Sequence, residues 1–124
     1  MDTRAAARRW ASEWRDAWIE HDADRIAALY APGALFLSAP FRKPQDPREY
    51  ALQAFADEDA AEPWFGEPLV DGDRAAVEWR AAITYGGKDH ALVGTSLLRF
   101  ASDGLCTEQR DVWELREGAL PRRD

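Results

Sequence analysis

Apolar residues recur at helical spacing near the start of the chain. Trp10, Trp14 and Trp18 fall on one stripe of a helical wheel, and polar residues occupy the opposite side. This pattern predicts an amphipathic helix over residues 4–21 whose indole rings face a core. His21 lies at the end of that helix, where we interpret it as a partner of the helix dipole rather than a ligand.

Capping signals predict two further helices. Asp24 is placed to cap a short helix that stops at Pro32-Gly33. The sequence Asp46-Pro47-Arg48-Glu49 combines a capping residue, a proline at the first helical position and a glutamate that can reach back to the cap. A short apolar strand is predicted over residues 34–38. The acidic run Asp57-Glu58-Asp59 that follows the third helix is predicted to be a solvated loop, and we assign it no function.

From Trp64 onward the pattern changes from helical spacing to strands separated by turn signals. The turns are marked by Asp71-Gly72-Asp73, Gly86-Gly87 and Asp103-Gly104. They divide the segment into a four-stranded antiparallel meander over residues 64–70, 74–85, 88–101 and 105–115. Helices followed by a curled sheet predict an α+β domain with the helices on one face of the sheet.

The turns also predict which side chains share a face of the sheet. If Gly86-Gly87 and Asp103-Gly104 are both two-residue turns, the register of the last three strands is fixed. Trp79, Gly94 and Trp113 then lie side by side on the mainly apolar face. A glycine between two indole rings predicts an empty slot that a ligand could enter.

The neighbouring row of the same face carries polar residues. It places Ser96 opposite Asp111, with Gln109 one step further along the last strand. A carboxylate on an apolar face is costly unless something uses or satisfies it. Asp111 is therefore a candidate general acid or base, with a pKa raised by desolvation. The alternatives are a structural carboxylate held by Ser96, Gln109 or a group on the first helix, or one that points outward.

Composition narrows the classes of partner. The 124 residues contain 16 basic and 23 acidic side chains, and this acidic balance argues against nucleic acid or an anionic membrane as a partner. No uncharged run is long enough to span a bilayer. The single cysteine, Cys106, excludes an internal disulfide and suits a reducing cytoplasm, which is the predicted localisation. The two histidines and the cysteine are far apart, so we expect no metal site and no cofactor.

The order of several motifs resembles one known superfamily. These are the Trp14–Trp18 helix, the Leu29–Ala34 segment, the Asp46–Glu49 helix start and the Arg99–Gly104 segment that leads to Trp113. Together they resemble the nuclear transport factor 2-like (NTF2-like) superfamily, which includes the SnoaL-like cyclases and ketosteroid isomerase. The resemblance implies one domain over residues 1–124, a cone-shaped sheet wrapped around the N-terminal helix, and a deep pocket. Residues 117–124 are expected to form a frayed tail.

The resemblance implies less about the reaction. The general base of ketosteroid isomerase would fall at Ser38 and its two oxyanion donors at Trp14 and Ser96, so that isomerisation is not expected. SnoaL-like cyclases use an acid or base in the pocket, at a place comparable to Asp111. His90 could be a second proton carrier or an ordinary surface residue.

The resemblance also implies a partner. Related cones associate as dimers, and we expect a homodimer through the outer, charged face of the sheet, with Leu97 and Val112 at its centre.

Two functions therefore remain open. The first is a cofactor-independent isomerase, cyclase, dehydratase or hydrolase that acts on a mostly apolar small molecule through Asp111. The second is a non-catalytic module of the same fold that binds a ligand or dimerises. The candidate ligand-binding residues are Trp14, Trp18, Ser38, Phe55, Trp79, Gly94, Ser96, Gln109 and Trp113.

Overall fold

The computed structural model describes residues 1–121, which form three helices and six strands. The helices are α1 (Thr3–Glu20), α2 (Ala23–Ala27) and α3 (Pro47–Ala56). The strands are β1 (Tyr30–Leu37), β2 (Ala60–Phe65), β3 (Leu69–Asp71), β4 (Arg74–Tyr85), β5 (Lys88–Phe100) and β6 (Cys106–Glu117). The α+β cone expected from the sequence is confirmed.

Each helix begins at an aspartate whose side chain accepts a backbone N–H of the first turn. Asp2 caps α1 and Asp46 caps α3, where Pro47 takes the first helical position as predicted. The cap of α2 is Asp22, which accepts from the amide of Arg25, so the prediction of Asp24 was wrong by two residues. His21 ends α1 in the left-handed conformation, with φ 55°.

The strands form one sheet in the order β1-β6-β5-β4-β2, with the short β3 also paired to β4. β1 runs parallel to β6, whereas β2, β4, β5 and β6 pair with antiparallel neighbours. The single strand predicted over residues 64–70 is instead two strands, β2 and β3, separated at Gly66, Glu67 and Pro68. The meander therefore has one strand more than predicted, and β1 is the edge strand of the sheet beside β6.

The strand register of the site residues agrees with the prediction, although the β5–β6 turn is longer than predicted. Gly86-Gly87 is a two-residue turn, with Tyr85 opposite Lys88. The β5–β6 loop is longer than two residues: the amide of Ala101 donates to the carbonyl of Leu105, and Gly104 adopts φ 85°. An irregularity in the next part of the ladder leaves Arg99 opposite Glu108, the pairing that a two-residue turn would have produced.

The core lies between α1 and the concave face of the sheet. Trp10 and Ala7 of α1 are buried against Phe36 of β1 and Val77 of β4 in one hydrophobic cluster. Among the described residues, no helix is long and apolar enough to cross a membrane. At the start of the predicted tail, Glu117 is the last residue of β6, and the amide of Gly118 donates to the carbonyl of Asp89. Residues 122–124 lie outside the described residues.

Candidate functional site

A cavity of about 340 Å³ lies between the helices and the concave face of the sheet. Its wall is mainly aromatic and includes Trp14, Trp18, Tyr50, Phe55, Trp79 and Trp113. Two carboxylates, Asp111 and Glu58, also line it. A concave, mainly apolar space with a few convergent polar groups is typical of a small-molecule site.

Asp111 extends from β6 into this cavity and is buried, with 7% of its surface exposed. The hydroxyl of Ser96 donates to Oδ1 of Asp111 at 2.6 Å. The amide of Gln109 donates to Oδ1 at 3.0 Å and to Oδ2 at 3.2 Å. Ser96 in turn accepts from the indole Nε1 of Trp79 at 2.9 Å. The row of residues predicted from the turns is thus brought together around one carboxylate.

Burial determines the protonation of Asp111. Removal from water raises its pKa to about 6, and the hydrogen bonds from Ser96 and Gln109 oppose that rise only in part. Burial raises the pKa of three nearby groups, and the negative charge of Asp111 raises each of them further. They are Tyr50 of α3, Tyr30 of β1 and Cys106 of β6. These three groups are therefore neutral where Asp111 titrates, so the carboxyl changes charge near neutral pH without them.

A second hydrogen-bond network orients Gln109. Its Oε1 accepts from the hydroxyl of Tyr30 and, at 3.2 Å, from Nε1 of Trp10. Trp14 donates to the Tyr30 hydroxyl at 2.9 Å. Because the amide oxygen of Gln109 is held by donors, its NH₂ group is directed to Asp111. Trp10 and Trp14 of α1 therefore fix the orientation of the Gln109 amide, the first directly and the second through Tyr30. In that orientation Gln109 presents a donor to Asp111, as Ser96 does.

The empty slot predicted at Gly94 is not present. A Cβ placed on Gly94 would lie 2.7 Å from Cη2 of Trp79, from Cβ of Trp113 and from the carbonyl of Val112. The Trp79 indole thus occupies the space above the glycine. Gly94 allows this ring to pack on the sheet. Gly94 itself is not one of the described residues that line the cavity.

Glu58 is the site residue that the sequence analysis missed, because the acidic run was predicted to be solvated. Its side chain is buried, and its carboxylate accepts from Nε1 of Trp18 at 2.9 Å. Nε2 of His21 lies 2.6 Å from Oε2 of Glu58, and the His21 ring stacks on Phe55. Burial raises the pKa of Glu58. His21 therefore contacts the Glu58 carboxylate in addition to ending α1. No signal in the sequence indicated this contact.

Ser38 supports the mouth of the cavity and does not line it. Its carbonyl accepts from Nε1 of Trp113, and its hydroxyl donates to Gln45 at 3.0 Å. The Arg42 guanidinium donates to the same hydroxyl at 3.2 Å and lies 5.3 Å from the centre of the Trp113 ring. The segment after β1 is thereby tied to the aromatic wall.

His90 is not one of the residues that line the cavity, although it contacts one of them. Its ring makes an edge contact with Tyr85, and its Nδ1 is 3.2 Å from the carbonyl of Lys88 in the β4–β5 hairpin. It does not approach Asp111 in the pairing of the strands. Within residues 1–121, no group of three or more His, Cys, Asp or Glu side chains is arranged to hold a metal ion.

The fold and site define a cone-shaped pocket protein, and sequence comparison identifies the family. Residues 11–109 match the family model described as the SnoaL-like domain. The chain belongs to this family, which confirms the resemblance inferred from its motifs. Comparison with curated proteins gives no match.

Solved structures share the fold at low sequence identity. One is the epoxide hydrolase/cyclase-like enzyme SalBIII, described for its role in pyran ring formation in the polyether salinomycin. The two structures have a TM-score of 0.80 and 15% sequence identity, over 95% of this chain and 100% of that one. An LEH-like epoxide hydrolase of Mycobacterium tuberculosis has a TM-score of 0.71 and 17% identity, over 91% and 86%. A Catenulispora acidiphila protein with a ketosteroid isomerase-like fold, solved with trimethylamine, has a TM-score of 0.71 and 15% identity, over 82% of each chain.

Proposed function

We propose that this protein is a cofactor-independent enzyme whose Asp111 transfers a proton to or from a mostly apolar small molecule. The observation that carries the proposal is the position of Asp111, which is buried on the wall of an aromatic cavity with uncharged partners. A carboxyl group whose pKa is about 6 can act as a base or an acid near neutral pH.

The neighbouring residues have separate roles in this proposal. Asp111 as a carboxylate accepts a proton from the substrate or from water, and as a carboxylic acid it returns one. Ser96 and Gln109 hold the carboxylate in place through their hydrogen bonds. Trp14, Trp18 and Phe55 form the walls that exclude water from the ligand. The reaction class is that of an isomerase, cyclase, dehydratase or hydrolase.

The protonation step can be tested without knowing the substrate. The carboxyl carbon of Asp111 in protein labelled with ¹³C-aspartate should titrate with a midpoint near pH 6, because burial favours its neutral form. The resonance is assigned by its loss in Asp111→Asn. A midpoint near the ~3.9 of a free aspartate would contradict the proposed role.

Turnover can be tested first with aryl epoxides, because two of the structural neighbours are described as epoxide hydrolase or epoxide hydrolase/cyclase-like. Asp111→Asn should lower kcat by about 10²- to 10⁴-fold, the usual contribution of a general acid or base. Asp89→Asn is the matched control, since it removes the same charge from an exposed position. An unchanged rate in Asp111→Asn would remove this mechanism.

The alternative is a non-catalytic ligand-binding module. It is supported by the hydrogen bonds to Asp111, since Ser96 and Gln109 are also the partners that a purely structural carboxylate would have. Ligand binding without turnover, retained at similar affinity in Asp111→Asn, would favour this second function.

A further inference from the structure

The cavity offers hydrogen-bond acceptors but few donors. Five tryptophans line it, and each indole N–H is directed to a protein acceptor. Those acceptors are Tyr30 and Gln109 for Trp10, Tyr30 for Trp14, Glu58 for Trp18, Ser96 for Trp79, and the Ser38 carbonyl for Trp113. The indole rings therefore contribute apolar and π surface to a ligand, and no hydrogen-bond donor.

The donors closest to Asp111 are also in use. The Ser96 hydroxyl and the Gln109 amide both donate to Asp111. On the same wall, Tyr50 and Tyr85 have hydroxyls with no hydrogen-bond partner among residues 1–121, and these are the neutral donors that remain for a ligand. Arg42 is exposed and lies against Trp113 at the mouth. The two groups that donate to Asp111 are therefore not available to donate to a ligand.

The charge of Asp111 has no counter-ion within the described part of the chain. Its partners, Ser96 and Gln109, are neutral. Glu58 differs, because His21 lies 2.6 Å from it. A buried carboxylate without a cation is costly, and a cation brought by a ligand offsets that cost. Among residues 1–121, Oδ2 of Asp111 accepts from Gln109 alone, at 3.2 Å, so it retains capacity for a ligand donor.

Aromatic rings next to an uncompensated carboxylate favour organic cations. The π faces of tryptophan attract ammonium groups, and the attraction strengthens when water is excluded. Trp18 contacts Trp14 and Trp79 edge to face, at ring-centre distances of 6.4 and 6.2 Å, so these three rings form one aromatic cluster on the wall.

We propose that the cavity binds an apolar amine in its protonated form, with the ammonium N–H on Asp111 and the apolar body against the tryptophans. This inference deepens the proposed function by naming the ligand class of the same site, and it rests on that function only for the cavity being a ligand site. It differs from a mostly apolar neutral ligand in requiring a positive charge.

Three probes of similar shape test the proposal on the wild-type chain. Benzyldimethylammonium carries the charge, isobutylbenzene replaces the nitrogen by carbon, and 2-methyl-1-phenyl-2-propanol offers a neutral donor. Binding is measured from the indole N–H resonances of Trp18, Trp79 and Trp113 at pH 7.5, where Asp111 is ionised. The ammonium ion should bind about tenfold more tightly than either neutral probe, as expected for a desolvated cation beside aromatic rings.

Asp111→Asn should remove this preference, whereas Asp89→Asn should preserve it because Asp89 is exposed and outside the cavity. Equal or tighter binding of a neutral probe to the wild type overturns the proposal, as does the absence of binding by the ammonium ion. A preference that persists in folded Asp111→Asn also overturns it. The probe comparison needs no variant, so it decides the question even if Asp111→Asn fails to fold. Failure here leaves the titration and turnover tests of Asp111 independent, since neither involves an amine.

Discussion

At the scale of single residues, the buried charge of Asp111 lowers the free energy of unfolding of the protein. A displacement of its pKa from 3.8 to about 6 means that folding favours the protonated form. By linkage, the folded state binds more protons than the unfolded state between these values, so stability falls as pH rises through this window. Above pH 6 the full cost, about 3 kcal/mol, is present. Sites that perform chemistry commonly reduce stability in this way.

This cost predicts the behaviour of Asp111→Asn. The variant cannot ionise, so the free energy of unfolding of the variant minus that of the wild type should increase as pH rises from 4 to 6 and then stay constant. Urea unfolding across this range measures the difference, and Glu58, whose pKa is also raised, is common to both proteins. A difference that is independent of pH would contradict the burial of the Asp111 charge.

The residues of the site differ in how well the sequence predicts them. Asp111, Ser96 and Gln109 could be placed together because strand register is a short-range property of turns and alternation. Glu58 could not, because its burial depends on where the chain turns after α3 and on Trp18 and His21 of another element. A run of three acidic residues is usually solvated, and here one of them is directed inward by tertiary contacts.

At the scale of elements, the β5–β6 hairpin shows why the predicted register survived a wrong turn. The loop has one residue more than predicted, with Gly104 in the left-handed conformation. A ladder irregularity between Arg99 and Phe100 compensates for it. Without that irregularity, the side chains of β6 beyond it would exchange faces and Asp111 would point outward. The local sequence contains no clear signal for this correction.

The packing of Trp79 on Gly94 predicts a strong effect of a single methyl group. Gly94→Ala should lower the free energy of unfolding by about 1–3 kcal/mol, because the added carbon meets backbone and two tryptophan side chains at 2.7 Å. Denaturant unfolding measures this loss.

The control is Gly66→Ala. Its new carbon meets the half-exposed Trp64 side chain at 3.2 Å, and its other contacts are 3.5 Å or longer, so the approach is less close than at Gly94. A loss at Gly94 no larger than that at Gly66 would show that the Trp79 ring is not confined as described.

At the scale of the whole molecule, the outer face of the sheet carries exposed apolar residues. Val93, Leu97 and Val112 are each about half exposed. They lie among charges of both signs, including Arg110 next to Leu97 in the β5–β6 pairing. We propose that this face pairs with a second copy across a two-fold axis, because a surface with both signs of charge can complement itself.

The dimer predicts a response to one substitution at its centre. Val112→Arg should shift the mass measured by light scattering from two chains to one, because it buries an unpaired cation in the interface. Asp89→Arg, at the exposed end of the β4–β5 hairpin, should leave the mass unchanged. A wild-type mass of one chain would refute the proposed dimer.

The parallel pairing of β1 with β6 has a consequence for how the protein is made. Three of the tryptophans that line the pocket come from α1, which is synthesised early, whereas Gln109 and Asp111 belong to the last strand of the sheet. Tyr30 and Trp10 can meet Gln109 only after β6 has left the ribosome. Such sequence-distant contacts form slowly. A nascent chain therefore presents unfilled tryptophan surface before its acidic counterpart exists, a stage at which a chaperone could act.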